Sequence, residues 1–444
     1  MNVSLSLGLG LGAEPLINTT QVAIDVFLAS KQANGQISGL GYWQVANGYT
    51  AIALHDSWTN TSGNVEVLNE LLTEVEANQT DCIDDFNDDS MWWGIFLLDM
   101  YDLTRDSHHL AVAQNIWAHV REYVIPPGKY VINGTDMEGG VMWSNKNNET
   151  QVNAITAGLF SELSARLALT LAPAPGSASA SVPAMVPPDG SGSHRQEFLD
   201  HAIFSLFWIL RCRYVPAQYL VLDHIDLETG QSFDWTFTYN TGQAIAASIA
   251  VYDAMKQVQP QPQTRPTAPT HSNVAGLSPS TYPPTHSNIA ALSPSPSTDT
   301  YLDLACQMAR HAMTRESWID PDGTLTERAA YPGSPPNQKS AAENDDAVGF
   351  KAVLVRSLAK LYRILSRDCL YPDVQDQLVR FIAWQFQSLQ ERDTTANGTG
   401  QYGPWWAGPM DLPTSHSQLA ALDVMAAIHA VAPAIADRGS STRV

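Results

Sequence analysis

Residues 153–170 read NAITAGLFSELSARLALT, and this stretch shows the pattern that decides the fold. Its apolar residues Ile155, Leu159, Leu163 and Leu167 recur at every fourth position. Residues four apart lie on the same face of an α-helix, so the stretch is predicted to form a helix with an apolar face. Such a face is buried against neighbouring helices.

The same spacing of apolar residues marks twelve candidate helices. They lie near residues 20–33, 42–55, 63–77, 89–103, 108–123, 153–170, 195–212, 241–256, 299–314, 346–366, 372–391 and 416–435. Strand-like sequence is sparse, with residues 219–222 as one short candidate. Twelve helices without a sheet predict an all-α fold in which six helical hairpins close into a double ring.

Two segments of low complexity interrupt the helical pattern. Residues 172–194 are rich in Ala, Pro, Ser and Gly, and residues 258–298 repeat PTHSNVAGLSPS as PTHSNIAALSPS. Such compositions cannot bury a core. Both are therefore predicted to be surface insertions in a single barrel that spans residues 15–437.

The composition excludes several classes of function. The chain of 444 residues has 24 Lys and Arg against 45 Asp and Glu, which gives a net charge of −21. Nucleic acids and anionic membranes are bound by clustered Lys and Arg, so neither is expected as a partner. No apolar run approaches the ~20 residues that span a bilayer, so no transmembrane segment is predicted.

Seven Asn-x-Ser/Thr sequons, where chance gives about two or three, favour a glycoprotein that is secreted or part of a cell wall. They begin at Asn2, Asn18, Asn60, Asn78, Asn133, Asn148 and Asn397. The four cysteines are widely spaced and show no zinc-binding pattern, and one or two disulfides with open pairing are compatible with secretion. The polar residues 438–444 are not followed by a hydrophobic tail of the kind that precedes a lipid anchor, which favours a free protein.

Unusual polar, Gly and Trp residues precede the even-numbered helices. These clusters are residues 87–89 before helix 4, 139–143 before helix 6, 233–240 before helix 8, 344–346 before helix 10, and 405–406 with 414–416 before helix 12. If the even-numbered helices form the inner ring, the clusters meet at one mouth of the ring. A concave binding site is therefore predicted at the N-terminal ends of the inner helices.

The densest of these clusters is DCIDDFNDDSMWW at residues 81–93. Paired carboxylates suit cleavage of a glycosidic bond, because one attacks or activates water while the other protonates the leaving oxygen. Mutual repulsion raises the pKa of one member, which then keeps its proton near neutral pH. Neighbouring Trp rings can stack on the apolar C–H faces of sugars.

Two other interpretations of this cluster stay open. Asp88 or Asp89 can act only as a helix cap, because carboxylates favour helix N-termini. The pattern Asp85-x-Asn87-x-Asp89 matches the first, third and fifth positions of a calcium-binding EF-hand loop. That loop, however, needs Gly at its sixth position and Glu at its twelfth, where this chain has Ser90 and Phe96.

A series of motifs in the same order resembles glycoside hydrolase family 76, the α-1,6-mannanases and their fungal cell-wall relatives. The motifs are Asn87-Asp88-Asp89-x-x-Trp92-Trp93, Gly139-Gly140-x-x-Trp143, Asn153-Ala154-Ile155-x-x-Gly158-Leu159-Phe160, Phe237-Thr238-Tyr239-Asn240-x-Gly242, Asp346-x-x-x-Phe350-Lys351 and Ser417-x-x-Ala420-Ala421-Leu422-Asp423. The resemblance covers about residues 20 to 435 outside the two insertions. It implies an (α/α)6 barrel and a retaining mechanism that acts on α-1,6-linked mannose without a cofactor or metal.

Carried over residue by residue, the resemblance implies that Asp88 is the nucleophile and Asp89 the general acid/base. Retention needs the two carboxyls about 5 to 5.5 Å apart. We expect a secreted, monomeric, fungal-type endo-α-1,6-mannanase that acts on mannan or on mannosylated glycans. Two alternatives stay open: a cell-wall transglycosylase that acts on the mannan core of GPI-anchor glycans, and a non-catalytic mannan-binding protein.

Further side chains are expected to contact the substrate. They are Asn87, Trp92, Trp93, Trp143, Asp223, Trp235, Tyr239, Asn240, Asp346, Trp405 and Trp406. Core packing is the alternative for Trp143 and Trp235, and helix capping is the alternative for Asn240 and Asp346. Trp405 and Trp406 lie in a loop rich in Gly and Pro, where two exposed indoles indicate a ligand. Lys351 and Arg356 of helix 10 are expected in buried ion pairs.

Overall fold

The computed structural model describes residues 13–171, 191–258, 297–326, 345–395, 398–411 and 413–441. These residues contain twelve α-helices, one at each predicted stretch, which confirms the all-α prediction. The helices are α1 Ala13–Leu28, α2 Tyr42–Thr59, α3 Val65–Asn78, α4 Asn87–Thr104, α5 Ser107–Arg121, α6 Ala154–Thr170, α7 Ser191–Cys212, α8 Thr238–Val258, α9 Thr298–Ala312, α10 Asp345–Asp368, α11 Pro372–Arg392 and α12 Ser415–Ser441. The predicted insertions, 172–194 and 258–298, lie almost wholly outside the described residues.

The even-numbered helices form a closed inner ring. Contacts run from α2 to α4, α6, α8, α10 and α12 in turn, and α12 packs against α2 to close the ring. The odd-numbered helices form an outer layer, with α5 on α4, α7 on α6, α9 on α8, and both α1 and α11 on α12. Because each outer helix returns the chain, the inner helices run parallel and begin at one mouth.

Burial distinguishes the two rings. Residues 44–56 of α2 are all buried, as are residues 90–100 of α4. By contrast, α3 buries only Leu68, Leu71, Leu72 and Val75, which form one stripe. A helix that is buried on every side carries few charges on any face, whereas an outer helix needs one polar face.

Two glycines allow inner helices to approach closely. A Cβ added at Gly242 of α8 would lie 2.8 Å from Cα of Leu354 in α10, and one at Gly158 of α6 would lie 2.9 Å from Cγ of Gln243. Any side chain at Gly242 would therefore meet backbone atoms of the neighbouring helix.

A buried ion pair joins three inner helices. Arg356 of α10 donates from Nε to Oδ1 of Asp423 over 2.7 Å and from Nη2 to Oδ2 over 2.8 Å. It also donates from Nη1 to Oδ1 of Asn47 in α2 over 2.8 Å. Arg356 and Asp423 are 3% and 1% exposed, which confirms the expected buried pair for Arg356.

The prediction that no apolar run could span a bilayer is corrected for α12. Its segment Ser415–Ala436 has 22 residues and is long and apolar enough for a membrane span. Within the most apolar stretch of 18 residues in this segment, 72% is buried inside the protein. A core helix of an inner ring has the same length and composition, so the segment is weak evidence for a membrane span.

The four cysteines, all within the described residues, form no disulfide. Cys82 and Cys306 are buried, Cys212 is half-buried and Cys369 is exposed. The one or two disulfides that the sequence left open are therefore not formed in this structure.

Candidate active site

A small antiparallel sheet lies beside the starts of the inner helices. Its strands are β3 Gln151–Asn153, β6 His224–Asp226 and β7 Ser232–Phe233, and the first pair aligns Val152 with Ile225. Isolated bridges extend the pairing from Val152 to Met142 and from Ser144 to Phe86. The segments that precede α4 and α6 are thereby held next to residue 223. The sequence did not predict this sheet, because its strands have only two or three residues.

Four other short strands complete the described set. They are β1 Val131–Ile132, which pairs with β2 Thr135–Asp136, and β4 Tyr214–Val215, which pairs with β5 Leu220–Val221. The predicted strand at 219–222 corresponds to β5.

Asn87 fixes the start of α4. Its backbone N–H donates to the carbonyl of Trp143 over 2.8 Å, and its Nδ2 donates to the carbonyl of Met142 over 2.9 Å. Asn87 is fully buried, which corrects the expectation of a substrate contact. Since α4 begins at Asn87, residues 87–96 are helical, and this excludes the calcium-loop interpretation.

Asp88 is the buried member of the carboxyl pair. Only 9% of the residue is exposed. Its Oδ2 accepts a hydrogen bond from Trp143 Nε1 over 3.1 Å, and its Oδ1 accepts one from the backbone N–H of Asp89 over 3.1 Å. Burial raises the pKa of Asp88 to about 7; the nearby charge of Asp223 adds to the rise, and the hydrogen bonds oppose it.

Asp89 lies beside it in the first turn of α4 and is half-buried. The start of a helix favours negative charge, which supports ionisation of one member of the pair. The raised pKa of Asp88 means that this carboxyl keeps its proton up to about neutral pH.

Asp223 is a third carboxyl at this mouth and is 4% exposed. Its Oδ1 accepts hydrogen bonds from Nδ2 of Asn240 over 2.8 Å and from the hydroxyl of Tyr239 over 3.4 Å. Its Oδ2 lies 2.7 Å from Nδ1 of His224. These partners hold Asp223 in one orientation beside Asp88.

Two findings about these partners differ from the sequence prediction. Asn240 is 1% exposed and uses its amide to hold Asp223, so the expected contact with sugar hydroxyls is not supported. His224 was missed as a site residue, although it follows Asp223 directly in the sequence.

A row of aromatic rings extends along the same mouth. It contains Phe237 and Phe350 with the half-buried Trp43, Trp235 and Tyr239. The rings of Tyr239 and Phe350 stack with centroids 4.0 Å apart, and Trp43 lies 6.1 Å from Phe350. Half-exposed aromatic faces offer stacking surfaces for sugar rings.

Trp43 was not predicted as a site residue. The sequence feature that could have identified Trp43 is its position as the second residue of α2. The polar and aromatic clusters lie at the starts of the other even-numbered helices, so the start of α2 was an equivalent place to search. Phe237 and Phe350 were quoted within motifs, but their contact across α8 and α10 could be found only in the structure.

Three of the predicted Trp contacts are corrected. Trp92 is 2% exposed, and Trp93 and Trp406 are fully buried. Trp93 packs against Tyr42 and Tyr49, because α4 is surrounded on all sides within the inner ring. These indoles stabilise the barrel in this structure and are not exposed at the mouth.

Of the remaining predicted contacts, Trp143, Trp235 and Trp405 are half-buried. Lys351 is fully buried and donates to the carbonyl of Pro404, with Nζ 5.3 Å from the ring centre of Trp405 and 4.8 Å from that of Trp406. Asp346 lies in the first turn of α10, and its side chain lies outside the described residues. No group of three or more His, Cys, Asp or Glu among the described residues could hold a metal ion.

The fold and the site together form a closed double ring of helices with a carboxyl pair at its mouth. A model of glycosyl hydrolase family 76 matches residues 30–174, the part that contains the pair and Trp143. This match confirms the resemblance to glycoside hydrolase family 76 over these residues. No curated protein sequence matches the chain.

Solved structures of low sequence identity share the fold. An inactive variant of an α-1,6-mannanase of Salegentibacter sp. HEL1_6, with two consecutive aspartates replaced by alanine, was solved with α-1,6-mannotetrose. It is 19% identical with a TM-score of 0.68, and the match covers 94% of this chain and 99% of that chain. Dfg5 from Chaetomium thermophilum, in complex with glucosamine, is 13% identical with a TM-score of 0.62 over 94% of this chain and 90% of that one.

Proposed function

We propose that this protein is a retaining endo-α-1,6-mannanase that is secreted and acts on mannan or on mannosylated glycoproteins. The observation that carries the proposal is the carboxyl pair Asp88 and Asp89 at the mouth of the ring, beside Asp223. The family match supports it, as does the mannanase of the same fold whose inactive variant lacks two consecutive aspartates.

In the first step, Asp88 attacks the anomeric carbon of mannose and forms a covalent glycosyl-enzyme. The N–H groups of Trp143 and Asp89 donate to its two oxygens, which favours the carboxylate form and fixes its direction. Burial removes water from the carboxylate, and this raises the pKa and makes the ionised form more reactive.

Asp89 then acts as general acid and later as general base. Its half-buried side chain remains accessible to the departing oxygen and to water. It protonates the leaving glycan as the first bond breaks, and it removes a proton from the water that hydrolyses the glycosyl-enzyme. These steps require an ionised Asp88 and a protonated Asp89 at the start of the reaction, and the hydrogen bonds that Asp88 accepts from Trp143 and from the backbone of Asp89 favour its ionised form.

The mouth of the ring suits a neutral glycan. The chain carries a net charge of −21, and three carboxyls lie at the mouth, which disfavours anionic polymers. The aromatic row next to Asp223 offers faces for several sugar rings, as an endo-acting enzyme needs. Secretion is proposed on the seven sequons in the sequence.

The test is incubation with linear α-1,6-mannan, with and without an added mannoside acceptor. Short oligosaccharides of retained α configuration are the expected product. Elongated products that depend on the acceptor would indicate a transglycosylase, and binding without turnover would indicate a mannan-binding protein. The Asp88→Asn variant is expected to lose at least about three orders of magnitude in kcat while keeping its fold.

The roles of the two aspartates can be separated with azide. An Asp88→Ala variant that is rescued by azide is expected to yield the β-glycosyl azide, because azide replaces the nucleophile in one inverting step. Asp89→Ala is expected to yield the α-glycosyl azide, because azide then attacks the covalent intermediate. The opposite pattern would exchange the two roles.

A further inference from the structure

The asparagines in sequons differ from the other asparagines in their exposure. Among the described residues, all five sequon asparagines are exposed, namely Asn18, Asn60, Asn78, Asn133 and Asn148. Of the ten described asparagines outside sequons, only Asn34, Asn115 and Asn147 are exposed. Five others are fully or almost fully buried, namely Asn47, Asn64, Asn87, Asn153 and Asn240.

Backbone geometry explains only part of this difference. Asn60 and Asn133 have positive φ angles of 56° and 50°, and Asn is a common residue in that conformation at helix ends and turns. Asn18 lies within α1, and Asn78 is the last residue of α3. Neither has a positive φ, so turn chemistry does not account for their exposure.

We propose that these five asparagines carry N-linked glycans. In the reaction, Nδ2 of each asparagine displaces the diphosphate of a lipid-linked oligosaccharide donor from the anomeric carbon and loses a proton. The hydroxyl residue two positions later is what the transferase recognises. Exposure at every described sequon leaves room for a bulky glycan on the folded barrel.

Asn133 shows how such a site is presented. It lies in the two-residue turn between β1 and β2, and it is exposed together with Gly134. A Cβ added at Gly134 would meet no atom within 4 Å, so the space around the turn is open. A glycan there would extend into solvent without displacing a side chain.

The experiment is to map modified asparagines in protein recovered from its natural host. Enzymatic release of N-glycans in water enriched in heavy oxygen converts each modified asparagine to a labelled aspartate that mass spectrometry locates. Label is expected at the five sequons and not at Asn34, Asn115 or Asn147, which are exposed but lie outside sequons. Label at three or more of the five supports the proposal, and label at two or fewer overturns it.

Variants of one site test the chemistry. Asn133→Gln and Thr135→Ala each destroy the sequon and are expected to remove the same glycan mass, whereas Thr135→Ser keeps it. Retention of the glycan in Thr135→Ala would refute recognition of the sequon. Mannan cleavage by the enzymatically deglycosylated protein is measured separately, so failure of this proposal is distinct from failure of the proposed activity.

Discussion

The indole N–H of Trp143 lies 3.1 Å from Oδ2 of Asp88, although the two residues are 55 positions apart. The link depends on Asn87, which binds the segment of Trp143 to the start of α4 through two hydrogen bonds. A residue in the loop before α6 thereby favours the ionised form of a carboxyl at the start of α4, against the larger effect of burial.

Replacement of Trp143 by Phe is expected to shift the acidic limb of the pH profile of kcat/KM to higher pH. The hydrogen bond from Trp143 favours the charged form of Asp88, so its loss raises the pKa of Asp88 further. Initial rates on mannan across pH check this shift. Trp235→Phe, at a Trp of similar burial that does not donate to Asp88, is the matched control, and an equal shift there would contradict the explanation.

Asp223→Asn is expected to shift the same limb in the opposite direction. The negative charge of Asp223 raises the pKa of Asp88, so a neutral amide lowers that pKa and moves the limb to lower pH. The pH at the midpoint of the acidic limb is the quantity to measure. The overall rate is not suitable, because it also changes if Asp223 contacts the substrate. A midpoint that stays in place would mean that Asp223 does not influence the ionisation of Asp88.

Asp88→Asn is expected to stabilise the protein at neutral pH and above. The folded-state pKa of about 7 lies above the ordinary 3.8. Below pH 3.8 the carboxyl is protonated in both states, so the variant gains nothing there. Between pH 3.8 and about 7 the wild type loses stability, because the carboxyl ionises in the unfolded chain but stays protonated in the folded one, and the gain of the variant reaches about 1 to 4 kcal/mol at about 1.4 kcal/mol per pKa unit.

Urea unfolding of the wild type and Asp88→Asn at pH 4 and pH 8 measures this gain. Asp85→Asn is the control, because Asp85 is exposed and has no burial penalty to relieve. Equal free energies of unfolding for wild type and Asp88→Asn at pH 8 would be the contrary result.

Asp423→Asn is expected to lower the free energy of unfolding by about 3 to 5 kcal/mol, because it leaves the buried guanidinium of Arg356 without its counter-charge. The double variant Arg356→Met with Asp423→Leu is expected to be less destabilised than Asp423→Asn alone. Asp376→Asn, in a surface pair with Arg380 whose side chains are each 48% exposed, is expected to cost under about 1 kcal/mol. Similar losses at both sites would argue against a special role of the buried pair.

Gly242→Ala is expected to destabilise the barrel by about 1 to 3 kcal/mol, because the new methyl group would meet the backbone of Leu354 in α10. Thermal unfolding checks the loss. Gly63→Ala is the matched control, since no atom lies within 4 Å of the added Cβ, and it should change stability by at most about 0.5 kcal/mol. A neutral Gly242→Ala would show that α8 and α10 can separate without cost.

The sequence predicted the features that depend on local pattern. The spacing of apolar residues located all twelve helices, and it placed Asp88 and Asp89 at the start of α4. It could not predict which face of an inner helix meets the site, because buried apolar residues lie on all sides of these helices. Trp93 was therefore expected at the substrate and lies in the core, whereas Trp43 was overlooked.

Contacts between distant segments were also beyond the sequence. Asp223 was predicted as a site residue, but its position beside Asp88 depends on the pairing of β3 with β6, two strands of three residues each. Strands that short carry too few residues for an alternating pattern. Likewise, the burial of Trp406 depends on Lys351 and Ser388, which bind its loop from two different helices.

The packing of α12 against α2 has a consequence for how the protein is made. The ribosome completes α2 early, but its neighbour on one side, α12, is the last of the twelve described helices along the chain. Until then, the apolar flank of α2 and the buried side chain of Asn47 lack the partners that α12 and Arg356 provide. A nascent or truncated chain without residues 415–441 is therefore expected to expose this flank, to depend on chaperones and to be prone to aggregation.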